Sequence, residues 1–99
     1  MKKYRLSKFE ADEIKRLTKK IFGKNSKVFL FGSRVDLKKR GGDIDLYIIP
    51  EKRDNLFDKK LKFLTELKLK IGEQKIDVIV NKDINRLIEQ EALKNGIEL

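Results

Sequence analysis

Asp43-Ile44-Asp45 is the triplet with the most evident chemistry. It opens a run, Asp43 to Ile49, in which polar and apolar residues alternate. On a strand, residues two apart point to the same face, with their Cα atoms roughly 6.5–7 Å apart. Ile44 then points the other way, into a core, and fixes the register. Two carboxylates side by side repel each other unless a cation lies between them. Ligands made only of hard oxygen suit Mg²⁺ or Mn²⁺, and Mg²⁺ commonly completes its shell with water and substrate phosphates. The pair therefore implies a nucleoside triphosphate as its missing ligand. Taken alone, an Asp-x-Asp on an exposed strand is more often solvated surface. Asp is nevertheless depleted in strands, so two on one short strand need a reason.

The neighbours supply it. Gly32-Ser33 directly follows the apolar run Val28 to Phe31. Glycine lets backbone approach a phosphate closely, and N–H groups in a turn or at a helix start bind anions. The Ser33 hydroxyl adds a donor, and Arg34 is placed to pair with a phosphate. Lys38, Lys39 and Arg40 extend the basic run, although each singly reads as solvated charge. The third element is Asp77, between Ile76 and Val78. If its strand lies beside that of Asp43 and Asp45, three carboxylates converge. Two metal ions roughly 3.5–4 Å apart then become feasible, with Asp77 binding one and helping to activate an attacking hydroxyl.

These residues must be held by regular elements. Ser7 to Phe22 reads as an amphipathic helix, with Ser7 and Glu10 in capping-box spacing and Gly23 at its end. Val28 to Phe31 suits a strand buried on both faces. Arg34 to Lys39 has room for one helical turn before Gly41-Gly42 breaks it. Asp54 or Asn55 caps a second helix with Leu56, Leu61, Leu64, Leu67 and Ile71 on its inner stripe, stopped by Gly72. Ile76 to Val80 is a third strand. Asp83 caps a last helix carrying Ile84, Leu87, Ile88 and Ala92, with Gly96 as C-cap. The order α-β-turn-β-α-β-α predicts an α+β, two-layer fold: a small mixed sheet with helices packed mainly on one face.

Composition narrows the chemistry further. The 99 residues suit one domain spanning 1–99. The absence of Cys removes disulfides, thiolate nucleophiles and zinc–thiolate sites, and the absence of His removes imidazole bases and ligands. No apolar run is long enough to span a membrane, and Met1 to Leu6 lacks the apolar stretch of a signal peptide. The cytoplasm is the default location. The net charge is +9, of which residues 1–50 carry +8. An anionic partner is expected in that half.

Phe31-Gly32-Ser33, nine intervening residues, Asp43-Ile44-Asp45-Leu46 and then Ile76-Asp77-Val78 resemble the signature of the DNA polymerase β-type nucleotidyltransferase superfamily. The chain is similar in length to the minimal nucleotidyltransferases, and Glu91 to Leu99 is similar to the way those proteins end. The resemblance covers roughly residues 7–99. One departure is Gly42, where many members carry Ser or Thr.

The resemblance implies a polymerase β-type nucleotidyltransferase fold and an antitoxin that binds a helical HEPN-type toxin. The implied reaction moves AMP from ATP, or the nucleotide from another NTP, to a hydroxyl of the partner, a tyrosine in studied relatives. Asp43, Asp45 and Asp77 would be the catalytic acids and ligands of two Mg²⁺ ions (or Mn²⁺). Gly32, Ser33 and Arg34 would hold the phosphates. Two alternatives stand beside this. One is a catalytically weak antitoxin that only binds its partner. The other acts on nucleic acid, against which the chain offers few aromatics for base stacking and no helix-turn-helix, zinc-finger or RNP-like motif.

Overall fold

The computed structural model describes residues 4–39 and 41–99; Arg40 lies outside them. The elements are α1 (Lys8–Phe22), β1 (Lys27–Phe31), a 3₁₀ turn (Gly32–Val35), β2 (Ile44–Ile49), α2 (Leu56–Ile71), β3 (Ile76–Val80), α3 (Leu87–Asn95) and the short β4 (Ile97–Glu98). The expected capping box starts α1. The Glu10 amide donates to Ser7 Oγ at 3.0 Å, and the Ser7 amide donates to Glu10 Oε1 at 2.9 Å. Gly23 and Gly72 end α1 and α2 as the spacing predicts.

The sheet has the order β3-β2-β1-β4. β1 runs antiparallel to both β2 and β4, whereas β2 and β3 are parallel. A parallel pair needs a crossover, and α2 supplies it. Alternation then sorts the side chains. Val28, Leu30, Ile44, Leu46, Ile48 and Val78 meet α1 and α2 in the main core. Its helix side is joined by Phe22 and Phe63, both fully buried with ring centroids 5.8 Å apart. Burying two such rings contributes roughly 1.5–3 kcal/mol each. On the opposite face, Phe31 and Tyr47 pack with Ala92 of α3. Two of the three helices thus cover one face, and α3 covers part of the other. The α+β architecture with a mixed sheet is as expected.

Three local expectations are corrected. On α2, Leu61 is exposed and Phe63 is buried instead, because the stripe that meets Phe22 runs through Phe63 and Leu67. The helical turn after β1 begins at Gly32, not Arg34. The last helix starts at Leu87 with Arg86 as N-cap. Asp83 instead closes a local turn by accepting the Asn85 amide at 3.0 Å. Ile84, Leu87 and Ile88 consequently point outward, and the inward residues are Ala92 and Glu89.

Glu89 explains this rotation. Its carboxylate is fully buried and accepts hydrogen bonds from the Tyr47 hydroxyl (2.7 Å), Asn81 Nδ2 (2.9 Å), the Asp83 amide (2.8 Å) and the Lys82 amide (3.1 Å). Arg86 approaches at 3.4 Å. The group ties α3, the end of β3 and β2 together. Turning it outward would leave those donors without their shared acceptor. Burial alone would raise the Glu89 pKa. The hydrogen bonds and Arg86 outweigh it and hold the group below its ordinary 4.5. A depressed carboxylate stabilises the fold above its unfolded value and loses that contribution as pH falls through its folded value. Glu89→Ala should cost about 3 kcal/mol in urea unfolding at pH 7. The gap to the parent protein should narrow as pH is lowered past 4.5. A gap that stays constant with pH would refute the charged state assigned here.

Candidate active site

The β2–β3 register places Asp45 directly beside Asp77, and the β1–β2 register places Phe31 on the other side of Asp45. All three side chains lie on the face opposite α1 and α2, where Phe31 is buried beside Ala92 of α3 and the two acids stay accessible. A cleft of about 590 Å³ there is bounded by Asp45, Asp77, Phe31, Ile79, Ile88 and Lys60. Two of the three acids anticipated from the sequence are therefore brought together by strand pairing alone.

Asp43 differs. It precedes the first residue of β2, and its Oδ2 lies 3.4 Å from Lys75 Nζ. Lys75 is fixed nearby because its carbonyl accepts the Ile44 amide at 3.0 Å. Among the described residues, no three acids are grouped closely enough to hold a metal ion as a set. The expected convergence is thus met by Asp45 and Asp77, with Asp43 beside them but turned to a lysine.

The electrostatics follow from this placement. Partial burial pushes the Asp45 pKa up, and the negative charges of Asp77 and Asp43 push it further, offset in part by Lys75. Such a pair is the arrangement a divalent cation relieves. The donors are hard carboxylate oxygens of the kind Mg²⁺ and Mn²⁺ prefer. Asp45 and Asp77 fit that group as they stand, and Asp43 fits once it leaves Lys75.

The turn above the acids is shaped by absent side chains. Gly32 has φ +73, and a Cβ there would collide with the Asp45 carboxylate. Glycine is thus needed both for its backbone angle and for a close approach of main chain to Asp45. At Gly42, with φ +90, a Cβ would collide with Ser33 Oγ. The hydroxyl of Ser33 fills the space that a residue 42 side chain would take.

Two arginines fix this loop. Arg34 Nη1 donates to the Arg5 carbonyl at 2.8 Å, its Nε to the Gly42 carbonyl at 3.2 Å and its Nη2 to Gln74 Oε1 at 3.4 Å. Arg5 in turn donates from Nη2 to the Ser33 carbonyl and from Nε to the Asp36 carbonyl, both at 2.8 Å. Arg34 was expected to face phosphate; here its guanidinium is committed to protein oxygens. Gln74 links the pair to α1 through Glu10 Oε2 at 2.8 Å. Lys38 and Lys39 are exposed.

Sequence reasoning missed Arg5, Gln74, Lys75 and Lys60. Arg5 and Gln74 lie far along the chain from their partners and belong to no motif. Lys60 reaches the cleft only because α2 crosses over beside β3. Lys75 carried a usable signal, since it stands two residues before Asp77 at the mouth of the same strand.

Gly32→Ala should destabilise the protein by about 1–2 kcal/mol from the positive φ alone, with the overlap on Asp45 adding to it. Urea unfolding reads this, and an unchanged midpoint would contradict the geometry. Asp45→Asn should have the opposite sign. A carboxyl with a raised folded pKa keeps its proton while the unfolded chain has lost it, so stability falls as pH rises from 3.8 through the raised value. The Asn variant escapes that loss and should melt higher than the parent at pH 7. A lower melting point would rule out the repulsion.

The comparisons with known proteins agree with this geometry. No curated protein matches the chain significantly. Residues 12–99 match the family described as Polymerase beta, Nucleotidyltransferase. That span includes the Gly32-Ser33 turn, all three acids and every strand, and the chain belongs to the polymerase β-type nucleotidyltransferase family.

Proposed function

We propose that this nucleotidyltransferase transfers AMP from ATP to a hydroxyl, a tyrosine in the first instance, of a helical HEPN-type protein partner that it silences as an antitoxin. The observation that carries the reading is the facing pair Asp45 and Asp77 beneath the Gly32-Ser33 turn. The turn supplies backbone amides and the Ser33 hydroxyl to the terminal phosphates. Arg5 and Arg34 keep those donors in place by bonding the carbonyls around them. Asp45 and Asp77 lie at the sheet end, where they would hold the divalent cations that bind the reacting end of the triphosphate. When bound, two Mg²⁺ ions (or Mn²⁺) would supply charge stabilisation for the attacking and leaving oxygens, held by Asp45 and Asp77 with Asp43 released from Lys75. Asp77 draws the proton from the acceptor hydroxyl. The acceptor oxygen forms a bond to the α-phosphorus as the bond to the β-phosphate oxygen breaks and pyrophosphate departs.

The ion pair between Asp43 and Lys75 favours a second reading, in which the chain binds its partner and transfers little. Labelled ATP and Mg²⁺, incubated with the protein and its helical partner, separate the two. Label on the partner that falls at least about a hundredfold with Asp45→Ala or Asp77→Ala supports transfer. Lys75→Ala then shows whether the pair restrains Asp43, by raising the rate. Tight partner binding without label in any variant would sink the transferase reading. Label on added RNA in place of the protein would redirect it to nucleic acid.

A further inference from the structure

We propose that the outer edge of β3 is a docking strand for an extended, acidic–apolar segment of a protein partner. β3 is an edge strand and its sequence, Ile-Asp-Val-Ile-Val, carries none of the lysines or prolines that usually protect such edges. The Asn81 amide donates to the Ile48 carbonyl at 2.7 Å, and the Lys75 carbonyl accepts the Ile44 amide. Alternate residues of a strand bond the same neighbour, so residues 75, 77, 79 and 81 face β2. The N–H and C=O groups of Ile76, Val78 and Val80 point to the open side, and no other backbone bond among the described residues engages them.

The open side is a groove of about 360 Å³ between α2 and the loop after β3. Leu56 and Phe57 form its apolar wall, and Phe57 is 74% exposed. Lys60, Lys82 and Arg86 supply its charge, and no acid lines it. Among the described residues, Lys60 and Lys82 make no ion pair. A backbone ladder beside apolar walls matches an added β-strand, and the three cations select acidic side chains on it. A second copy fits poorly, because it would bring the same cations together in a chain of net charge +9. Nucleic acid has no peptide N–H and C=O groups to pair with the ladder.

The groove shares Lys60, Val78 and Ile79 with the acid cleft. A segment paired along β3 therefore runs past Asp77. At about 3.3 Å per residue, a hydroxyl three positions beyond Val80's partner stands beside the acids. This use of the docking strand, presenting an acceptor, rests on the transferase reading; the docking itself does not.

The test uses a fluorescein-labelled ten-residue peptide alternating Glu with Val and Ile and carrying one Tyr, against the same peptide with Lys for Glu. Fluorescence anisotropy with the intact protein should show the Glu peptide binding at least about tenfold more tightly than the Lys peptide. The double variant Lys60→Glu, Lys82→Glu should lose about tenfold for the Glu peptide. Amide exchange by NMR should slow at Val78 and Val80 on binding. Asp45→Asn should bind unchanged, which separates failure of docking from failure of transfer. The proposal is overturned if neither peptide binds below about 1 mM, if binding ignores charge, or if the β3 amides stay unprotected. Displacement by single-stranded RNA, or a dimer in sedimentation that already protects those amides without peptide, overturns it equally.

Discussion

Across the β2–β3 ladder, Asp45 faces Asp77 over the spacing of paired strands, about 4.8 Å. Two carboxylates so close are unfavourable, and burial makes them more so. The backbone hydrogen bonds of a parallel ladder hold them there, and α2 closes that ladder by crossing from β2 to β3. Ile44, Leu46 and Val78, buried on the reverse face, prevent a slip, because a shift of one residue would move the acids into the apolar core. The core thus maintains a local repulsion that a bound cation would relieve.

The turn over the acids depends on a second constraint, close approach of backbone. Gly32 clears the Asp45 carboxylate and Gly42 clears Ser33 Oγ. Neither glycine by itself sets the loop's shape. That is done by Arg5 and Arg34, whose guanidinium groups collect the carbonyls of Ser33, Asp36, Arg5 and Gly42. Much of the basic excess in the first half of the chain is therefore solvated surface or internal scaffolding of the loop. Lys75 works against the site in this geometry by engaging Asp43.

On the face that carries the acids, α3 is set by one buried charge. Glu89 collects donors from Tyr47, Asn81, Lys82 and Asp83, and its rotation inward turns Ile84, Leu87 and Ile88 out. β3, the terminal strand of the sheet, stays open along its outer edge, flanked by apolar residues and cations. On this side of the sheet the polar cluster around Glu89 adds to the small apolar cluster of Phe31, Tyr47 and Ala92.

The sequence by itself determined the family signature, the capped first helix, three strands and the alternation along Ile44 to Ile49. Those features are local: alternation, capping spacing and glycine placement act over a few residues. It did not determine that Leu61 would yield to Phe63, that Glu89 would turn inward, that Ile97–Glu98 would add a fourth strand, or that Arg34 would bond carbonyls. Each of these depends on a partner far along the chain. Helical phase between two close alternatives is decided by what the helix packs on, and Phe22 lies 41 positions from Phe63. Only the tertiary structure decided that Asp45 and Asp77 meet while Asp43 pairs with Lys75, because strand order and register, not spacing, set the distance between charges.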